Sequence, residues 1–118
     1  MPQKLVLVIE DDPGLGQAYV DIITLEGHQA ELIPDGQVAL SRLTEIVPDL
    51  ILLDMHLPHV SGLDILKAIG DDSRLSETQV VVMTANPEMA AAAKEYADSV
   101  YFKPVNLAQI NELLELIK

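Results

Sequence analysis

The stretch 6-VLVIEDDPGLGQAYV-20 runs four apolar residues into three carboxylates and then into a helical pattern, and its reading decides the fold. Gly14-Leu15-Gly16 just past a strand is where dinucleotide-binding folds cradle a pyrophosphate, whereas Glu10, Asp11 and Asp12 repel an anion at the same place. The carboxylates prevail. Tyr19 stands where the dinucleotide fingerprint needs a third small residue, and acids occupy the turn where it needs its first glycine. The glycines are then expected only to loosen the start of the first helix. Asp12, next to Pro13, reads as an N-cap with proline at the first helical position, with metal binding as its second possible role.

Working outward, Leu5 to Ile9, Ile51 to Leu53 and Val80 to Met83 are continuous apolar runs, the pattern of parallel strands covered on both faces. Ala30 to Ile33 and Val100 to Phe102 read as shorter strands nearer the edges. Helical periodicity follows in Leu15, Ala18, Ile22 and Leu25, in Val38, Ala39, Leu43, Ile46 and Val47, and in Leu63, Leu66 and Ile69. Residues 88 to 96 suggest a weak, alanine-rich fourth helix. Leu107, Ile110, Leu113, Leu114 and Ile117 mark a fifth, opened by an Asn106/Gln109 capping box. Strict alternation of strand and helix calls for right-handed crossovers and a doubly wound α/β sheet of five parallel strands with five helices.

With 118 residues the chain is sized for one domain. It has no cysteine, which removes thiol chemistry and disulfides and fits a reducing compartment, with the cytoplasm as the default expectation. The apolar runs are far shorter than the ~20 residues of a membrane span, and the N-terminus carries no apolar signal segment, so no membrane role is expected. Seven Lys and Arg against nineteen Asp and Glu give a net charge of −12, which argues against direct nucleic-acid binding. That charge suits a metal cation or a basic partner.

In open sheets of this kind ligands bind beyond the carboxyl ends of the strands. Those ends supply Glu10, Asp11 and Asp12, then Asp54, then Thr84, then Lys103. In the strand order 2-1-3-4-5 the first and third strands pair, which brings Asp11 and Asp54 to ~5 Å of each other. Such carboxylates repel unless a cation intervenes, and Mg²⁺, with its hard oxygen ligands and open positions, is the natural one. A metal and a lysine aimed at phosphoryl oxygens also remove the charge obstacle to carboxylate attack on phosphorus. Asp54 thereby becomes a candidate acyl phosphate site, with Lys103 as fixed cation and Thr84 as hydroxyl donor.

These residues carry a family resemblance. "VIEDD", "LILLDMHLPHVSG" (with Asp54, Pro58 and Gly62 in register), "VVMTA" and "YFKP" resemble the receiver domain of two-component response regulators over the whole chain, residues 1–118. The resemblance implies a flavodoxin-like fold and a phosphorylation switch rather than an independent enzyme. Asp54 would receive its phosphoryl group from a sensor histidine kinase or phosphotransfer protein. It also implies Mg²⁺ held by Asp11, Asp54 and the backbone carbonyl of Met55, with Glu10 acting through water. Thr84, Ala85 and Lys103 would contact the phosphoryl group and switch, a cis bond at Lys103-Pro104 would aim the lysine, and His56 and Asn86 would tune hydrolysis.

Some features depart from the family pattern. Val100 stands where receivers commonly carry Tyr or Phe, and Tyr101 comes one residue later, on the opposite face of the strand, where core or interface packing is expected. The interval from Thr84 to Lys103 is short, so an abbreviated fourth helix is expected. The face of helix 4, strand 5 and helix 5 is the family's usual homodimer or partner surface. A different class of function is a receiver-like interaction module that is not phosphorylated. Enzymes on the same fold fit poorly: a haloacid-dehalogenase-type loop needs a second Asp at position 56, which is His, and no Walker or flavin phosphate loop follows the first strand. With no output domain after Lys118, a stand-alone receiver and an excised N-terminal domain of a longer regulator or hybrid kinase both remain open.

Overall fold

The computed structural model describes residues 3–118. Its elements alternate as β1 (Leu5–Ile9), α1 (Pro13–Leu25), β2 (Gln29–Ile33), α2 (Gly36–Leu43), β3 (Leu50–Asp54), α3 (Gly62–Gly70), β4 (Gln79–Thr84), α4 (Pro87–Ala93), β5 (Ser99–Phe102) and α5 (Leu107–Leu114). Short 3₁₀ turns follow α3 and α5. The strands form one parallel sheet in the order β2-β1-β3-β4-β5, the doubly wound arrangement expected from the alternation.

Strand alternation divides the core in two. Leu7, Ile9, Ile51, Leu53, Val80 and Val82 face α2, α3 and Ala93 of α4, while Val6, Val8, Leu50, Leu52, Val81 and Met83 face α1 and α5. Because β1, β3 and β4 are covered on both sides, their interiors (Leu5–Ile9, Leu50–Leu53 and Val80–Met83) are continuously apolar rather than alternating. Val100 and Tyr101 fall on opposite faces, as expected. The Tyr101 hydroxyl ties β5 to α5 by donating to Glu112 at 2.9 Å.

Helix starts follow the local chemistry. Asp12 accepts from the Leu15 N–H, Asp35 from Gln37 and Val38, Ser61 from Asp64, and Asn86 from Glu88 and Met89. Asn106 and Gln109 form the expected capping box. The fourth helix is indeed short, at seven residues.

Several packing expectations need correction. The inward face of α1 is Gly16, Tyr19 and Ile23, one residue out of phase with the expected stripe, and Leu25 is 85% exposed. Gly16 does more than loosen the helix: a Cβ there would lie 2.6 Å from Leu32 Cδ1, so its absence lets α1 seat on β2. Helix α2 ends at Leu43, where the Thr44 hydroxyl bonds back to the Ser41 carbonyl and the chain turns toward Pro48. Val47, beyond that end, lies exposed, as do Val38 on the outer side of α2 and Leu107 at the start of α5.

Candidate functional site

The carboxyl ends of β1, β3, β4 and β5 converge on a cavity of about 600 Å³ lined by Asp54, His56, Thr84, Ala85, Asn86, Pro87, Glu88 and Lys103. Asp54 and Thr84 are the last residues of their strands rather than the first beyond them, and both are buried. Parallel pairing with Met83 sets Asp54 beside the end of β4. Asp54 Oδ1 accepts the His56 N–H at 3.1 Å. Thr84 Oγ1 accepts the Asn86 N–H at 3.1 Å, while the Asn86 side chain is taken up in capping α4.

Across the cavity, the Lys103 ammonium lies 2.7 Å from Glu10 Oε1 and 3.4 Å from Asp54 Oδ2. Its backbone is fixed by an N–H bond to the Thr84 carbonyl at 2.9 Å, and the Lys103–Pro104 peptide bond is cis. Behind Asp54, Gly62 presses on the loop: a Cβ there would lie 2.6 Å from Met55 Cα and 3.1 Å from the Asp54 carbonyl. This explains the glycine eight residues after the aspartate. The Met55 carbonyl accepts the Gly62 N–H at a long 3.4 Å.

Glu10, Asp11 and Asp54 offer carboxylate oxygens that all lie within 4.8 Å of one another. Glu10 is wholly buried, whereas Asp11 is exposed at the mouth. Burial raises the Glu10 carboxyl to about 7; the Lys103 hydrogen bond opposes this and contact with Asp54 adds to it. Burial pulls Lys103 down, but its hydrogen bond to Glu10 and the charges of Asp54 and Glu10 outweigh it and hold the ammonium above its ordinary range.

One ammonium faces three carboxylates. Glu10 Oε1 and Asp54 Oδ2 are buried without a well-directed hydrogen bond, even at ion-pair distance from Lys103. An all-oxygen donor set with spare negative charge and unsatisfied buried oxygens fits a hard divalent cation such as Mg²⁺.

The structure thus gathers Glu10, Asp11, Asp54, Thr84, Ala85 and Lys103 at one mouth, with Met55 behind Asp54 and His56 and Asn86 on the rim. Pro87 and Glu88 also line the cavity and were not anticipated; they follow Thr84 across the tight β4–α4 turn. The Tyr19 hydroxyl on α1 is also buried without a hydrogen-bond partner, and the only signal of this in the sequence was a polar atom on an otherwise apolar helix face.

A doubly wound sheet with an acidic cluster and a lysine at its carboxyl edge defines a receiver-type α/β domain. The chain belongs to the response regulator receiver domain family, whose model matches residues 6–115. Among curated relatives, it is 31% identical over 102 residues to the DNA-binding response regulator MtrA of Mycolicibacterium smegmatis, covering 86% of this chain and 45% of that protein. It is 37% identical over 82 residues to the polar-differentiation response regulator DivK of Brucella anthropi, covering 70% of this chain and 67% of that protein. The chain thus spans about half the length of the MtrA proteins it matches. In fold it is similar to the chemotaxis response regulator CheY4 of Vibrio cholerae, with a TM-score of 0.90 at 23% identity over 99% of this chain and 100% of that one. A CheY-like receiver domain from Methylobacillus flagellatus gives 0.89 at 22% identity, over 99% and 100% of the two chains. Among the described residues no helix is long and apolar enough to cross a membrane.

Proposed function

We propose that this receiver domain works as a phosphorylation switch in which Asp54 accepts a phosphoryl group from a phosphohistidine on a sensor histidine kinase or phosphotransfer protein. The observation that carries the proposal is Asp54 Oδ2, buried on the wall of an open cavity and facing the Lys103 ammonium at 3.4 Å. A carboxylate oxygen of Asp54 forms the new bond to phosphorus as the phosphorus–nitrogen bond of the donor breaks, and the electron pair of that bond stays on the imidazole. Lys103 holds a fixed positive charge toward the phosphoryl oxygens, and the Thr84 hydroxyl and Ala85 N–H offer donors beside it. The cavity is wide enough to admit a donor side chain.

Asp11, Asp54 and the Met55 carbonyl would hold Mg²⁺, with Glu10 acting through water. When bound, the cation supplies neutralisation of the charge that otherwise keeps a carboxylate and a phosphoryl group apart. His56 and Asn86 on the rim would set how readily water reaches the acyl phosphate. The side of the molecule formed by α4, β5 and α5 carries exposed Tyr96, Phe102 and Leu107, which supports a homodimer or partner surface there. The acidic charge supports a role without direct nucleic-acid contact, and the absence of cysteine supports a cytoplasmic setting.

Incubation with Mg²⁺ and acetyl phosphate followed by intact mass measurement tests the proposal. One phosphoryl adduct is expected on the native chain and none on Asp54→Asn. A native chain that gains no adduct, or a variant that gains it undiminished, overturns the switch and favours an interaction module that is not phosphorylated.

A further inference from the structure

Residues 55–61 carry the chain from Asp54, the last residue of β3, to Gly62, the first of α3. At the tip of this loop His59 has a φ of +70°, in the left-handed region where a non-glycine residue is uncommon. Glycine would adopt that backbone without steric cost. The His59 side chain is 72% exposed, so burial gives no account of the ring either. A residue held in a sparsely populated conformation persists where its surroundings over-determine it, and here they do.

Those surroundings are the start of α2. Asp35 caps that helix with Oδ1, which accepts the Gln37 and Val38 N–H groups at 2.7 and 3.0 Å. Its other oxygen, Oδ2, accepts the His59 ring Nδ1–H. The Val38 N–H and the His59 ring hold the Asp35 carboxyl below its ordinary range, so it meets the ring as a carboxylate. Beside the pair, the Gly36 N–H donates to the Pro58 carbonyl at 3.3 Å, and a Cβ on Gly36 would run into the Val60 carbonyl oxygen. The tip of the loop is thus seated on α2 from both sides of His59. Its base is closed by Gly62 against Met55. Between these two fixed points lie the Met55 carbonyl and the His56 N–H, which holds Asp54 Oδ1 at 3.1 Å and leaves Oδ2 to face Lys103.

We infer that Asp35 and His59 form a latch that positions the loop carrying the Met55 carbonyl and orienting the Asp54 carboxylate. Neither residue lines the cavity of Asp54, so both are positioning residues. They fix the course of the loop, and the loop aims the oxygens. The inference rests on the proposed Mg²⁺ site. What the latch transmits is bounded by the worth of a partly exposed ion pair, a factor of roughly two to five in an equilibrium constant.

Asp35→Asn removes the charge and keeps a capping oxygen for α2, and His59→Gly removes the ring while fitting the left-handed backbone. MgCl₂ is titrated into the full native chain, each variant and the double variant at constant pH and ionic strength, with the Met55 and His56 amide resonances as the signal. Each single variant is expected to raise the Mg²⁺ dissociation constant roughly two- to fivefold, and the double variant no further than the larger single. The constant is read on folded protein, so a contact that only added stability would leave it unchanged. An unchanged constant in either single variant, or losses that add in the double, overturns the latch. A native chain that binds no Mg²⁺ overturns the metal site and this inference together. Incubation with acetyl phosphate separates the remaining case: a native chain that binds Mg²⁺ but gains no adduct, with the variant pattern intact, overturns phosphoryl transfer and upholds the latch.

Discussion

Replacing Glu10 by glutamine should make the metal-free protein more stable at alkaline pH. Glu10 is fully buried, and its carboxyl is raised from 4.5 to about 7 by burial despite Lys103 at 2.7 Å. A group whose pKa is higher in the folded state favours folding while protonated, so its contribution is complete below about 4.5 and is lost as the pH rises through about 7. At roughly 1.4 kcal/mol per pKa unit the whole displacement is worth about 3 kcal/mol, of which roughly 2 kcal/mol falls between about pH 5.5 and 8. Urea unfolding in EDTA at those two pH values measures it.

The native chain should lose stability across that window by an amount equal to roughly 1 M in urea midpoint, given m-values of about 1–3 kcal/mol/M. Glu10→Gln should lose much less, and the difference between the two chains separates Glu10 from His28, His56 and His59. Millimolar Mg²⁺ should restore the native chain at pH 8 and add less at pH 5.5, because the cation binds the ionised cluster. Equal slopes in the two chains, or a native chain insensitive to pH in EDTA, would refute the claim that an uncompensated carboxylate is buried at this site.

Gly62→Ala should cost about 2 kcal/mol or more in urea unfolding, because its Cβ would meet backbone at Met55 Cα 2.6 Å away, and relieving that clash means shifting backbone rather than a flexible side-chain end. Gly16→Ala, whose Cβ would meet the end of the flexible Leu32 side chain at the same 2.6 Å, should cost less than about 1 kcal/mol, since alanine's helix propensity offsets part of the clash. Equal losses in the two variants would show that nominal distance, rather than the nature of the neighbour, sets the cost. Asp54→Asn should reduce the rise in melting temperature that Mg²⁺ produces, by removing one of three carboxylates clustered within 4.8 Å; an undiminished rise would detach Asp54 from the metal.

The sheet was legible because burial on both faces leaves a signature that needs no knowledge of neighbours. Every residue of Val6–Ile9 and Leu50–Leu53 is fully enclosed, so the strands stand out as unbroken apolar runs. The helices were harder. The buried side of α1 consists of Gly16, Tyr19 and Ile23, and only the last of these is aliphatic. Periodicity looks for large apolar side chains, so it settled on Leu15, Ala18, Ile22 and Leu25, although Leu25 is almost fully exposed. Gly16 is invisible to such a pattern because it contributes by the space it leaves for Leu32. A tertiary contact of this kind involves a strand 16 residues away and has no local mark.

The site was more legible than the helices for a related reason. Its residues sit at the ends of the strands, whose positions were secure, and the parallel register of β3 with β4 fixes their relative heights without any appeal to side-chain packing. What the strand ends do not reveal is how the charges balance. Glu10 looks like one acid among three in the sequence, yet it is enclosed while Asp11 faces solvent. The Lys103 ammonium approaches Glu10 more closely than Asp54, 2.7 Å against 3.4 Å. The lysine is thus engaged chiefly by Glu10, and Asp54 Oδ2 keeps no well-directed bond. A cation shared by the carboxylates would compete for Glu10 and leave the ammonium freer to meet an incoming phosphoryl group. The acidic turn that excludes a pyrophosphate is therefore suited, once charge-compensated, to a phosphoryl group carried on Asp54.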